Sequence, residues 1–163
     1  NTSHWFPEGR LFNYFPQLFQ GFFFRLLNNS LLLNHQISKF DQNIDPHCSY
    51  CRSKTTPFVS EQENLFHIFI YCETLESQRN VLMNVRLFDT PITNTDFLLG
   101  AMGQSHSENL IKNTLILNFN RFIYLYRKNT RALTSEKLTS DLCSVLRLLS
   151  QASRNYKSEL NTP

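Results

Sequence analysis

Glycine is scarce in this chain, at 4 of 163 residues. That scarcity argues against β architectures built on glycine-rich turns and against glycine-rich phosphate loops. Long apolar runs are missing as well. The most apolar stretch, 12–33, is broken by Gln17, Gln20, Arg25, Asn28 and Asn29, short of the roughly 18 uninterrupted apolar residues that mark a membrane span. The common catalytic signatures do not occur: there is no GxSxG, no HExxH, no P-loop and no GxGxxG. The acidic residues are scattered, with no Asp-Asp pair suited to two-metal chemistry. Internal repeats and low-complexity segments are absent. The chain starts at Asn1 without a signal-peptide pattern. These absences lead to four expectations: a piece of a longer protein, no enzyme activity of its own, no membrane partner and no small-molecule substrate.

Apolar residues make up 41 % of the chain, with fifteen Phe, six Tyr and one Trp. That is too rich for a disordered chain. A single domain of this size buries roughly two thirds of its unfolded surface, so a true core is expected. Charge is uneven. Residues 1–47 are neutral, 48–109 carry net −3, and 110–163 carry net +6. The last third is where a polyanion would be attracted, or it is simply a solvated helix face.

Apolar spacing predicts a helix over 15–27, with Pro16 in its first turn. A break at Asn28–Asn29–Ser30 recaps a second helix over 31–40. Residues 52–63 lack periodicity and are expected as loop. The short apolar run 65–71 suits either strand or helix. Thr74 suits an N-cap for a helix reaching about Phe88, with Leu75, Leu82, Val85 and either Leu87 or Phe88 inward. Ser105 and Glu108 form a capping-box pattern. It opens a long helix to about Lys128, apolar on two faces and therefore central, with Phe122 in the core. After a turn at 129–133, a last helix runs from Thr134 or Ser135 to about Leu160. Leu138, Leu142, Val145, Leu149, Ala152 and Tyr156 step by 4, 3, 4, 3 and 4 to give it one seam.

The strongest chemical signal is Cys48-x2-Cys51-x15-His67-x4-Cys72. Zn2+ takes four tetrahedral thiolate and imidazole ligands, and two short pairs can clamp it from both sides. A Cys3His set leaves no open position, so such a site is structural. On a regular helix, residues five apart point about 140° away from each other. His67 is therefore expected on a helix or turn and Cys72 just past its end. The same residues also allow a buried core histidine with small buried thiols, or a redox C-x-x-C. His47 is the one rival ligand, and Cys143 is expected as a buried thiol on the last helix.

The order FRLLNNSLLLNHQISKF, DPHCSYC, ENLFHIFIYC, FLLGAMG and NRFIYLYRKNTR resembles the C-terminal region of non-LTR (LINE-type) retrotransposon reverse transcriptases, over about residues 22–131. The most specific element is the knuckle, with Glu63 four before His67 and Phe69 two after it. The fifteen residues between Cys51 and His67 exceed the family's usual spacing. The resemblance implies one structural Zn2+ on Cys48, Cys51, His67 and Cys72. It also implies a parent polymerase that primes on nicked chromosomal DNA, acts in the nucleus and occurs in the cytoplasm with its RNA. The segment itself would hold template RNA or target DNA.

The combined expectation is a mainly α chain with three parts: a helical hairpin over 1–47, a small Cys3His zinc knuckle and following helix over 48–88, and a basic C-terminal segment of two or three packed helices over 89–163. Arg121, Arg127, Lys128, Arg131 and Lys137, interleaved with aromatics, are the candidate nucleic-acid contacts. The competing expectation is a zinc-stapled interaction module. Seven phenylalanines between residues 6 and 24 exceed what a lone hairpin can bury, so they would dock on the rest of the polymerase or on a partner protein.

Overall fold

A computed structural model of the chain describes residues 21–22, 24–26, 28–53, 61–103 and 105–160. Its α-helices are α1 (Asn34–Ile37), α2 (Glu76–Met83), α3 (Asp96–Leu99), α4 (His106–Tyr126) and α5 (Ser135–Leu160), and residues 21–22 and 24–26 are helical too. The mainly α expectation holds. Among the described residues there is no strand, only an isolated antiparallel bridge between His47 and Gln62.

The expected central helix is α4. Nine consecutive residues, 112–120, are buried all round it, and Phe122 lies in the core. Ser105 caps it by accepting from the Glu108 N–H at 3.3 Å. The Glu108 carboxylate does not close the capping box but accepts from the Asp89 N–H. Along the seam of α5, Leu138, Leu142 and Val145 are buried, as their spacing required, and α5 packs on α4. Leu149, Ala152 and Tyr156 lie outside the described side chains.

Three asparagines on α4 pin the preceding segment against it. Asn109 and Asn113 each accept from the N–H and donate to the carbonyl of one residue, Gly103 and Ala101 respectively, and Asn120 donates to the Phe97 carbonyl at 2.7 Å. The chain can lie back along the helix because Gly100 takes φ 79°, a conformation that costs glycine little.

Several boundaries differ from the periodicity. The 28–30 break is a helix end of the Schellman type: Ser30 N–H reaches Arg25 O and Asn29 N–H reaches Leu26 O, with Asn29 at φ 53°. Ser30 does not recap, because its hydroxyl bonds back to the Arg25 carbonyl. The second helix shrinks to one turn, α1, which opens at Asn34 and ends at Ile37. Thr74 sits inside a 3-10 turn, Glu73–Leu75, that precedes α2, and α2 ends at Met83 with Leu87 exposed. Cys143 is exposed on α5, not buried. Of the seven N-terminal phenylalanines only Phe22, buried, and Phe24, exposed, lie among the described residues.

Candidate metal centre

The four ligands expected from spacing converge. The sulfurs of Cys48, Cys51 and Cys72 and one ring nitrogen of His67 all lie within 4.8 Å of one another. Residues 65–71 resolve as helix, and the last five, His67–Tyr71, form a π-helical turn. Its wider ring is closed by Cys72 N–H onto His67 O at 2.6 Å. This removes the regular-helix conflict: five residues along a π turn return to nearly the same side. His67 opens the turn and Cys72 caps it, as expected. On the other side, Cys48 and Cys51 flank a tight turn that leads into a 3-10 turn, Cys51–Ser53.

The distances test the fit of a tetrahedral ion. With Zn–S near 2.3 Å and Zn–N near 2.0 Å, tetrahedral S···S and S···N edges are about 3.8 and 3.5 Å. The observed values are 3.9 Å for Cys48–Cys72, 3.7 Å for Cys51–Cys72 and 3.4 Å for Cys51–His67 Nε2. A disulfide needs sulfurs about 2.05 Å apart, and all four cysteines are free. The residues fit one metal ion. Cys48 and Cys72 are fully buried and His67 nearly so.

Electrostatics agree. The Cys48 thiol donating to Cys72, together with the His67 imidazole, holds Cys72 well down, at about 4, against the opposing effect of burial. Cys48 is pushed up by its bond to Cys72 and by burial. The bond to Cys72 raises His67 against burial, and Glu61 adds to the effect. Glu61 Oε2 lies 3.1 Å from His67 Nδ1, the outer partner that fixes the imidazole so that Nε2 faces the sulfurs. The Thr74 hydroxyl points at Cys51 Sγ, 3.9 Å away. His47, the rival ligand, is not in the cluster. Its Nδ1 is 2.5 Å from Asp45 Oδ1.

Two buried charges support the centre. Glu63 is fully buried. It accepts from the N–H of Asn34 at 3.1 Å, from the N–H and hydroxyl of Ser49 at 2.9 and 2.8 Å, and from the Arg127 guanidinium. It thus ties α1, the Cys48–Cys51 turn and the end of α4 together. Asn34 completes the tie with donations to His47 O and Ser49 Oγ. Arg79, 5 % exposed, donates from Nη2 to the Cys72 carbonyl at 2.8 Å, while its buried Nη1 has no partner. Burial presses its charge down and the nearby Cys72 sulfur supports it.

Sequence reasoning marked Glu63 only as a spacing feature and passed over Arg79. Both had a signal. Arg79 falls on the apolar stripe Leu75, Arg79, Leu82, where a charge must have a buried partner.

The basic residues divide. Arg127 is not a free phosphate contact: it lies over the Tyr124 ring and bonds to Glu63, Tyr124 O and Leu32 O. Arg121 is partly buried and faces the charge of Asp141 on α5. Lys128, Arg131 and Lys137 are exposed, with the Lys137 ammonium 5.7 Å from the Tyr126 ring centre. No helix among the described residues is long and apolar enough to cross a membrane. Compared with protein-family models, curated proteins and solved structures, the chain gives no match.

Proposed function

We propose that this chain is a zinc-stapled, nucleic-acid-handling region of a LINE-type retrotransposon reverse transcriptase. It holds template RNA or target DNA near the polymerase centre of its parent protein, in the nucleus. The observation that carries the reading is the closed Cys3His quartet, standing in the motif order that the resemblance requires. Three thiolates and an imidazole on tetrahedral edges suit Zn2+ best among common ions. A fourfold protein shell leaves no site for activated water, so the metal builds the fold and does no chemistry. The exposed cations after α4 and the net +6 of 110–163 supply attraction for phosphates.

The interaction-module reading has its own support. Phe22, Leu31, Tyr124 and Leu125 line an open groove together with Arg25 and Arg121, and Phe24, Leu32 and Leu125 are each more than half exposed. One experiment separates the two. Elemental analysis should find one zinc per chain, and binding to RNA or DNA should weaken steeply with salt. A chain that ignores nucleic acid at low salt yet binds the parent polymerase regardless of salt overturns the nucleic-acid reading, and a chain without zinc overturns both.

A further inference from the structure

The expected basic cluster is not the only place where a strand can lie. Where the Cys48–Cys51 turn meets the end of α4 there is an open groove of about 710 Å³. Asn34, Ser49, Arg52, Arg127, Lys128 and Thr130 line it, and among the described residues no acidic side chain does. Ile37 and Ile44 complete the wall. We infer that this groove, shared between the metal knuckle and α4, binds the phosphodiester backbone of a single nucleic-acid strand. The inference rests on the nucleic-acid reading above and gives it an address.

Three observations support the assignment. First, the lining is rich in hydrogen-bond donors, while the one nearby buried acid, Glu63, is saturated: Arg127, Ser49 and Asn34 already donate to it. Arg127 is therefore a fixed wall, and the groove's exposed cations are Arg52 and Lys128. Second, Arg52 is held at one nitrogen only, by Asp45 Oδ2 at 3.1 Å. That carboxylate is also bonded by the N–H and ring of His47. A guanidinium has five N–H donors in a planar fork that matches phosphate. Third, two isoleucines beside the cations offer an apolar surface for a sugar, as backbone tracking without base readout requires.

The assignment also makes binding depend on the metal. Ser49 lies between two ligands and Arg52 directly follows one, so the groove's knuckle wall exists only when the quartet is assembled.

The test uses fluorescent poly(U) and poly(dT) oligonucleotides with the zinc-loaded chain. Variants are R52A/K128A inside the groove and R131A/K137A outside it, with zinc content and helicity checked for each. The groove variant should bind at least about tenfold more weakly. Its log K against log salt should be flatter by about 1.4, at about 0.7 per lost single-strand contact. R131A/K137A thins the general attraction of the C-terminal third and should weaken binding clearly less than R52A/K128A does. If R131A/K137A loses binding as much or more, the groove is overturned while the nucleic-acid reading stands. If the parent chain binds neither oligonucleotide at low salt, both fail. Comparing the two oligonucleotides shows whether the sugar hydroxyl is read; equal loss on both supports pure backbone recognition.

Discussion

The knuckle, residues 34–75, and the α4–α5 pair are held by opposite means. The pair is built from long regular helices that meet along apolar side chains spaced for the purpose. Among its described residues the knuckle has one four-residue helix, two 3-10 turns, a π turn and an isolated bridge. Its regularity is too slight to satisfy its own backbone. It relies on directional contacts: a Cys3His quartet placed to hold one metal ion, the Glu63 carboxylate with its donors, and Arg79 behind Cys72. Apolar burial tolerates small changes because it has no direction. Directional centres fail when one member is lost, since the remaining members stay buried and unpaired.

Removing the metal should break the comparison most. A structural zinc, the ion proposed for the quartet, contributes on the order of 10 kcal/mol to small units. Cys72→Ser, or chelation of the parent chain, should abolish hydrogen-exchange protection over 34–75 while most of the helicity of α4 and α5 survives. Cys143→Ser, on the exposed face of α5, should keep the metal. Full retention of knuckle protection without metal would sink the comparison.

Glu63→Gln comes next. It strands the buried guanidinium of Arg127, a change that costs about 3–5 kcal/mol when a buried pair is broken. In urea melts with zinc present, Glu63→Gln/Arg127→Met should lose less than the sum of its single variants. Strict additivity would mean that the two residues act separately. Leu138→Ala probes the other region. Leu138 is fully buried in the seam, and its truncation should cost about 3 kcal/mol without lowering zinc content.

That division also explains what was legible in the sequence. Periodicity carries α4, its Ser105 cap and the start and seam of α5, because apolar spacing is the physical cause of those elements. The ligands were legible because coordination chemistry fixes residue type and pairing. The turn that lets His67 and Cys72 share an ion was not, since a π turn depends on tertiary demand and leaves no periodic trace. Nor was the direction of Arg127. A basic residue at a helix end reads as solvated until its partner, Glu63, is known to lie 64 residues away in the chain. Cys143 shows the converse error: thiols are often buried, but the position lies next to Leu142 and off the seam.

A finer probe of the knuckle is Arg79→Gln against Arg79→Lys. Three thiolates around a divalent ion leave one negative charge in a buried place, and Arg79 is the buried cation beside Cys72. Glutamine can still donate to the Cys72 carbonyl but carries no charge, whereas lysine keeps the charge. Glutamine should weaken zinc retention in chelator competition by about 10–100-fold, the usual scale for outer partners of a metal site. Lysine should recover most of it. Equal loss in both variants would assign Arg79 to packing alone.

The smallest expected effect lies in the helical pair and has the opposite sign. Asp141 on α5 faces the Arg121 charge, yet burial raises its carboxyl above the ordinary 3.8, and Arg121 offsets this only in part. A carboxyl whose folded value is raised favours the fold most when protonated. That contribution is present below the unfolded value and is lost as pH rises through the folded one. At neutral pH the charged Asp141 therefore weighs against the fold. Asp141→Asn should stabilise the chain by less than about 1 kcal/mol, because the site is only partly screened from water. Thermal melts should show the gain near neutrality and its disappearance as pH falls to 3.8 and below. A variant less stable than the parent at neutral pH would mean that attraction to Arg121 outweighs burial. Ion pairing would then hold the helices as it holds the knuckle, and the contrast between the two regions would narrow.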